Sequence, residues 1–471
     1  MNKCFFRRTK MLDEFIFGAG NLFPAGCDSE LRVQRSRNRS VNIVQGNLVG
    51  NGRSDASGTC ARVRRGGVCG FSSIADTSPD AAKAVLEAAR ENAAFLDSRL
   101  QRGIKPYPVL TGSKVEKAWE VSDPEQKYYV DFLRALDSYI VKKYPDLASR
   151  GLFARSECIE KVITTSFGTQ AHTTYQRSYI YMEMTAQTSS GINVELMDIL
   201  GGWGEFDKNF VRPEDFYERI DRLYDEVKKK SEGVYAEAGT RTCILGGDLS
   251  GMLAHEAVGH TVEADLVIAG SVAAGKIGQR VASDLVSMVD YANDTPWGMS
   301  PLPLYVDDEG VICKDQDLIR DGILVGYMNN RDSAERFGVD PCGNARAFAY
   351  SDEPLIRMRN TAVLPGKSKL EDLIASVDDG YYLCSTNNGQ ADTTGEFMFG
   401  VTMGYEIKHG KLGRAILDTT ISGVAFEMLK TVDMVSDTIK WASSGYCGKK
   451  QAMPVGLGGP ALRCKVNIGG R

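Results

Sequence analysis

Residues 242–260 read TCILGGDLSGMLAHEAVGH, and this is the most informative stretch of the C-terminal half. Its first four residues predict a buried strand, and the Gly246-Gly247 pair predicts a turn. The residues that follow predict a helix that runs to His260, with Asp248 or Ser250 as its N-cap. The stretch therefore predicts a strand, a tight turn and a helix in direct succession.

The end of this helix carries two of the protein's four histidines, His255 and His260, and Glu256 directly follows the first. Two imidazoles can hold a cation, and an adjacent carboxylate can take a proton from a bound water. This pattern points to metal-assisted hydrolysis. The alternative interpretation is a pair of histidines at a helix end that binds no metal.

The spacing of the two histidines is unusual for a metal site on a helix. The familiar zinc-hydrolase pattern places them at i and i+4, whereas His255 and His260 lie at i and i+5. On a regular α-helix five residues turn by about 500°, so the two side chains diverge by roughly 140°. Both can reach one ion only if the helix bulges or ends between them, and Gly259 is where such a break costs least.

A catalytic zinc usually takes three protein ligands, so a third residue is needed. The other histidines are His172 and His409, and His409 lies in the predicted turn of a hairpin, where we expect it to be exposed. The third ligand would then be Asp, Glu or Cys. Cys447 is flanked by Gly445 and Gly448 and precedes two lysines, which favours a thiolate and close approach of an ion. The alternative is a small buried thiol.

Several colinear blocks from about residue 28 onward resemble the TldD/PmbA family of metalloproteases. They are LRVQRSRNR at 31–39, the segment 255–260 with Glu263 and Asp265, DDEG at 307–310, GILVGYM at 322–328, GNAR at 343–346, LPGKS at 364–368, GQAD at 389–392 with Gly395, CGK at 447–449 and PVG at 454–456. The family has one kind of subunit with the histidine motif and one without it, and this chain resembles the first. Ala264 and Asn388 depart from the family pattern, since glycine is expected at both positions.

The resemblance implies a zinc endopeptidase. His255, His260 and Cys447 would bind one Zn²⁺ per subunit, or another divalent cation, and Glu256 would be the catalytic residue. The expected substrates are unfolded or short peptides, held extended by pairing with the edge of a sheet. The candidate substrate-binding residues are Glu263, Asp265, Arg346, Gln390 and Asp392.

The resemblance also implies partners and an alternative function. We expect a homodimer, or a heterodimer with a metal-free relative, that encloses the site. The alternative is a non-catalytic binding or modulator subunit, such as a modulator of DNA gyrase or of a toxin–antitoxin pair. Such a module would have no need of Glu256, so the complete set of residues favours the enzyme.

Length and composition predict a soluble cytoplasmic protein of two domains. A chain of 471 residues can form an N-terminal α+β domain at 11–235 and a C-terminal strand-rich domain at 236–471, with Met1 or Met11 as its start. A net charge of −5 predicts no direct binding of nucleic acid. Eleven cysteines without a regular spacing predict a reducing compartment, and no apolar run predicts a membrane span or a signal peptide.

Local patterns predict several elements around the metal helix. Ser78 and Pro79 begin a helix, the glycines at 66–67 turn a hairpin, and alternation at 397–407 predicts a strand. Alternating residues at 175–182 predict a half-buried strand whose tyrosines are ordinary packing or, less favoured, a platform for a ligand. Arg35, Arg37 and Arg39 predict a solvated edge strand. The predicted fold is α+β, with a mixed N-terminal domain and a barrel-like antiparallel C-terminal domain that carries the metal helix.

Overall fold

In the computed structural model, the described residues are 18, 22–100, 110–386 and 388–469, so the candidate start at Met11 lies outside them. A first sheet is formed by β1 (Asp28–Val44), β2 (Asn47–Arg65), β3 (Val68–Ile74), β4 (Lys114–Lys117), β5 (Ser149–Thr165), β6 (Gln170–Gln187) and β7 (Asn193–Trp203). Its order is β3-β2-β1-β5-β6-β4, and β7 also pairs with β6.

The α-helices of the described residues are α1 (Pro79–Leu100), α2 (Gln126–Lys143), α3 (Phe206–Asn209), α4 (Tyr217–Ser231), α5 (Gly247–Met252), α6 (Ala264–Ile268), α7 (Arg331–Phe337), α8 (Leu370–Ala375) and α9 (Ala425–Leu429). Helix α1 packs against Leu31 and Val33 of β1, and α2 with α4 packs near Val41 and Ile43. Because these four strand residues lie at odd positions, the helices cover one face of the first sheet. The other face is left for the C-terminal half of the chain.

The C-terminal half contains many short strands. They are β8 (Gly239–Leu245), β9 (Met288–Tyr291), β10 (Asp294–Thr295), β11 (Gly298–Met299), β12 (Gln316–Arg320), β13 (Ile323–Leu324), β14 (Ala345–Arg346), β15 (Leu355–Ile356), β16 (Asn360–Val363), β17 (Asp379–Ser385), β18 (Gly389–Ala391), β19 (Glu396–Val401), β20 (Met403–Lys408), β21 (Lys411–Ala415), β22 (Thr419–Val424), β23 (Met434–Val435), β24 (Lys440–Ala442), β25 (Tyr446–Cys447), β26 (Met453–Pro454), β27 (Gly456–Gly459) and β28 (Leu462–Ile468).

Two larger sheets organise these strands. One has the order β18-β19-β22-β28-β8-β17-β20-β21 with β23 attached to β28, and the other has the order β13-β12-β9-β16-β27-β24. The segment that follows α5 packs its buried residues Leu253, Ala257 and Val258 into a core shared by both sheets. The predicted metal helix is therefore held between two sheets, which fixes its position.

The prediction of an α+β chain with a strand-rich C-terminal part is confirmed. The C-terminal sheets are mixed rather than purely antiparallel, because β8 runs parallel to β17 and β16 runs parallel to β27. The larger sheet ends at β18 and β21 and does not close into a barrel within the described residues. The domain boundary between residues 235 and 236 stays a prediction.

The prediction of a solvated edge strand at Arg35, Arg37 and Arg39 is wrong. Strand β1 lies inside the first sheet, between β2 and β5. Arg37 and Arg39 are buried and share the carboxylate of Asp123, at 2.9 and 2.7 Å. Local sequence could not show this, because the carboxylate that neutralises the arginines lies more than eighty residues away.

Several local predictions are confirmed. The hydroxyl of Ser78 accepts the N–H of Ala81 at the start of α1, and β2 turns into β3 at two glycines with positive φ. His409 is 87% exposed in the turn between β20 and β21. The alternation at 397–407 forms two strands, β19 and β20, rather than one. None of the described helices has both the length and the apolar character needed to cross a membrane.

Candidate metal centre

A π-helix brings His255 and His260 onto one side of the metal helix. Helix α5 continues directly into a π-helix at Leu253–Gly259, and the N–H of His260 donates to the carbonyl of His255, five residues earlier. This wider turn replaces the four-residue step of an α-helix, so the roughly 140° divergence of a regular helix does not arise. The two imidazole centroids lie 5.1 Å apart.

The glycine between the histidines is required for close packing rather than for backbone freedom. Gly259 has φ −53° and ψ −50°, which any residue can adopt. A Cβ there would overlap the sulfur of Met358 and come within 2.9 Å of the carbonyl oxygen of Ala254. The predicted N-cap is also wrong. Helix α5 is capped by Gly246 without a side-chain bond, and the hydroxyl of Ser250 donates to the carbonyl of Pro460 instead.

Cys447 lies beside the histidines although it is distant in sequence. It belongs to β25, which pairs with β26, and its Sγ lies 3.3 Å from Nε2 of His260. One ligand atom from each of His255, His260 and Cys447 lies within 4.8 Å of the others. The structure thus brings together the three predicted metal ligands, and their binding of zinc stays a prediction.

Side chains that the sequence analysis did not single out hold the Cys447 segment in place. The buried guanidinium of Arg357 donates to the carbonyls of Cys447, Lys449 and Gln451. The hydroxyls of Tyr179 and Tyr181 on β6 donate to the carbonyls of Ser443 and Ser444. One face of β6 is fully buried and Tyr175 and Tyr181 on the other face are partly exposed, as predicted for this strand. Tyr179 and Tyr181 position the loop that carries Cys447.

The residues present fit a cation such as zinc. Both ring nitrogens of the buried His255 lack a hydrogen-bond partner among the described residues, a state that costs about 1–3 kcal/mol when nothing compensates it. A set of two imidazoles and one thiolate is a typical zinc environment. Burial opposes ionisation of the Cys447 thiol, but the neighbouring imidazoles of His255 and His260 lower its pKa to about 4, which favours the thiolate.

Glu256 is the one carboxylate that both adjoins the ligand atoms and faces open space in the described part of the chain. Its Oε1 lies 3.9 Å from Nε2 of His255, and its Oε2 lies 3.7 Å from Nε2 of His260. Its side chain is 22% exposed, against 2% for that of His255. The position suits a group that exchanges protons with a water next to the ligands.

A cavity of about 980 Å³ opens in front of Glu256 and His260. It is lined by Glu256, His260, Gly389, Gln390, Ala391, Asp392, Glu396, Phe397, Met398, Ser422, Gly423, Val424, Tyr446, Gly448 and Lys449. Strand β18 borders the cavity and is an end strand of its sheet. Of the five residues predicted to bind substrate, Gln390 and Asp392 line this cavity, and their role stays a prediction.

The other three predicted substrate-binding residues lie elsewhere. Glu263 is fully buried, and its Oε2 accepts the Nδ1–H of His260 at 2.8 Å. Lys449 bridges Glu263 and Asp265, at 3.1 and 2.8 Å. Burial alone would raise the pKa of Glu263, but the charges of His260 and Lys449 lower it, so Glu263 stays ionised behind the histidine. Arg346 is buried beside a different cavity.

We expect Glu263→Gln to weaken zinc binding by about 10–100-fold while leaving the fold intact. The amide keeps an oxygen that can accept the Nδ1–H of His260, but it loses the charge that orients the ring and strengthens it as a ligand. Competition with a coloured chelator measures the affinity. Asp265→Asn is the matched control, because Asp265 also binds Lys449 but does not touch His260. Equal losses in both variants would contradict the assigned role of Glu263.

Comparison with known proteins places these features in one family. A model described as the PmbA/TldA metallopeptidase C-terminal domain matches residues 238–470, and one for PmbA/TldA metallopeptidase domain 1 matches residues 29–93. A metalloprotease of Methanothermobacter thermautotrophicus is 30% identical over 94% of this chain and 95% of its own length. A zinc metalloprotease TldD homolog of Saccharolobus solfataricus is 33% identical over 54% of this chain and 57% of its own length.

Two solved structures share the fold. TldE from Thermococcus kodakarensis has a TM-score of 0.76 at 18% identity, over 98% of this chain and all of its own. A structure from Thermotoga maritima, titled a putative modulator of a DNA gyrase, has a TM-score of 0.72 at 18% identity, over 97% of this chain and 99% of its own. At this level of identity the two structures support the fold alone.

Proposed function

The chain belongs to the PmbA/TldD metallopeptidase family, and on that premise we propose that it is a zinc-dependent endopeptidase acting on unfolded or short peptides. The observation that carries the proposal is the meeting of three ligand atoms with Glu256 at the edge of an open cavity. A modulator without catalysis would need the ligands at most, and nothing in the site favours that alternative.

In this proposal each residue of the site has a separate task. His255, His260 and Cys447 would hold the zinc ion, which when bound polarises a carbonyl and makes a water more acidic. Glu256 accepts the proton of the attacking water and returns it to the leaving amine. Its partial exposure lets it reach a water in the cavity, while the burial of His255 keeps the ligand side dry.

The edge of β18 is the proposed binding site for the peptide backbone. Hydrogen bonds from Gly400 to Asn388 and from Asp392 to Glu396 show which groups of this segment face β19. Hydrogen-bonded pairs alternate in an antiparallel ladder, so the N–H and C=O groups of Gly389 and Ala391 point the other way. An extended peptide can pair with these groups whatever its side chains, and this strand lies next to the π-helix.

The proposal includes a dimeric assembly and a location in the cytoplasm. A second copy or a metal-free relative would cover the cavity and exclude folded domains, and the cytoplasm would supply the unfolded peptides. Both statements are proposals, and light scattering of the purified protein measures the first. The ten described cysteines are free thiols, which agrees with a reducing compartment.

We expect the zinc-loaded protein to cut a denatured protein at many sequences and to leave the folded form of the same protein intact. A denatured chain offers free backbone groups to the edge of β18, whereas a folded chain has already paired them. Mass spectrometry of the products maps the cuts. Protein treated with a chelator is the control, and added zinc restores its activity.

Three results would contradict this proposal in different parts. Cleavage that survives complete removal of metal contradicts zinc dependence. Rapid cutting of the folded form at its surface loops contradicts an enclosed site. A single invariant cut sequence contradicts recognition through the peptide backbone.

A further inference from the structure

A second cavity lies between the first sheet and the C-terminal half, away from the metal centre. It has a volume of about 50 Å³ and is bounded by Lys161 of β5, Tyr175 of β6, Arg346 of β14 and the strand β26. A water molecule needs roughly 10–15 Å³ of such space, so the cavity has room for a few small species and none for a peptide segment. Neither Glu256 nor any of the three proposed metal ligands lines it, and Arg346 is the one predicted substrate-binding residue that does.

Arg346 is a buried cation without a carboxylate partner. Its relative exposure is 5%, and Nη1 donates to the carbonyl of Met358. Its Nε and Nη2 have no hydrogen-bond partner, and no carboxylate oxygen lies within 4.0 Å of the guanidinium, among the described residues. Burial lowers the pKa of Arg346 to about 10, which still leaves it charged at neutral pH. A buried charge is normally paired with an opposite charge, so an anion in the space beside Arg346 would stabilise its guanidinium.

The two carboxylates that line the cavity are already engaged. Asp308 binds Lys161 at 2.7 Å and also Arg32 at 2.9 Å. The oxygens of Asp307 accept backbone N–H groups of residues 309, 311 and 345. Both carboxylates therefore already have partners, and neither of them forms an ion pair with Arg346.

A neutral hydrogen-bond donor, Tyr175, also lines the cavity. The hydroxyl of Tyr175 is buried and has no hydrogen-bond partner, although most buried hydroxyls have one. Tyr175 and Arg346 both line this space. A hydroxyl without a partner beside a guanidinium without a carboxylate is a feature of an anion site rather than of a cation site.

We propose that this cavity binds a small monovalent inorganic anion of the size of chloride, between Arg346 and the hydroxyl of Tyr175. The proposal does not depend on peptide hydrolysis, since it concerns a different cavity. The anion would neutralise Arg346 at the contact between the first sheet and β26. Because β26 pairs with the strand that carries Cys447, the bound anion would also stabilise the support of the metal centre.

The first test measures thermal unfolding of the full chain at constant ionic strength while sodium gluconate is replaced by sodium chloride or bromide. Gluconate is too large for the cavity, so we expect a saturable rise of about 2 °C or more with either halide. Arg346→Met should lose this rise. Arg463→Met is the control, because Arg463 pairs with Asp433 at the surface and should keep it. Equal melting temperatures in gluconate and halide would overturn the proposal.

Two further measurements keep the test decisive if Arg346→Met does not fold. Tyr175→Phe removes only the hydroxyl, and we expect it to raise the half-saturating bromide concentration by about tenfold. Crystals soaked in bromide should show an anomalous peak between Arg346 and Tyr175. A melting curve of Tyr175→Phe that responds to bromide like the unmodified protein, or bromide peaks only outside this cavity, would overturn the proposal.

Discussion

Glu256→Gln is expected to reduce peptide hydrolysis by about 10²–10⁴-fold while zinc content and fold remain unchanged. The amide has nearly the shape of the carboxylate but cannot accept the proton of the attacking water. No other described carboxylate adjoins the ligand atoms and faces the cavity, since Glu263 is buried behind His260. Zinc should stay bound because Glu256 is not one of its three proposed ligands.

The experiment compares turnover of an unstructured peptide with zinc content measured on the same preparation. Glu396→Gln is the matched control, because Glu396 lines the cavity but does not adjoin the histidines. We expect it to lower turnover far less. Near wild-type turnover in Glu256→Gln would show that Glu256 is not the base, and an equal loss in both variants would point to the charge of the cavity instead.

Cys447→Ala is expected to release zinc and to abolish hydrolysis with it. The variant removes one of three proposed ligands and the only one that carries a negative charge. Loss of a residue that merely supports a ligand costs about 10–100-fold in metal affinity, so loss of the ligand itself should cost more. His255 and His260 would remain, but two neutral imidazoles hold zinc weakly.

Elemental analysis of the purified variant decides this prediction. Cys384→Ala is the control, because Cys384 is another free thiol that lies outside the ligand group. It should keep one zinc per subunit. Undiminished zinc in Cys447→Ala would remove Cys447 from the ligand set.

The metal helix shows which features could be predicted from the local sequence. The pattern of His255, Glu256 and His260 predicted a metal site together with an interruption of the helix between the histidines, and the π-helix at Leu253–Gly259 supplies that interruption. The sequence did not show that Gly259 is needed to pack against Met358, because that contact joins residues about one hundred positions apart. The spacing of the histidines predicted that the helix is interrupted, and the packing of the distant Met358 explains why glycine is needed at that point.

The substrate residues show the opposite case. Gln390 and Asp392 lie on the cavity in front of Glu256, whereas Glu263 and Arg346 are buried away from it. All four are polar residues in motif-like segments, and sequence alone could not separate them. Burial and the direction of each side chain depend on which strands pair, and pairing joins β18 to β19 and β14 to β15.

The sequence by itself determined the chemistry that is available. It placed two imidazoles and a carboxylate on one helix, put a thiol between glycines and lysines, and set the strand and turn patterns around them. These features depend on residue type and on short spacings, which act within one element.

Only the tertiary structure determined which distant residues come together at the site. Cys447 reaches His260 across 187 residues because β25 is held by Arg357 and by the tyrosines of β6. Arg37 and Arg39 of β1 are buried because the distant Asp123 packs against that face of the sheet and pairs with both. Contacts of this length follow from the packing of whole sheets, which lowers the free energy through burial and pairing that no local pattern specifies.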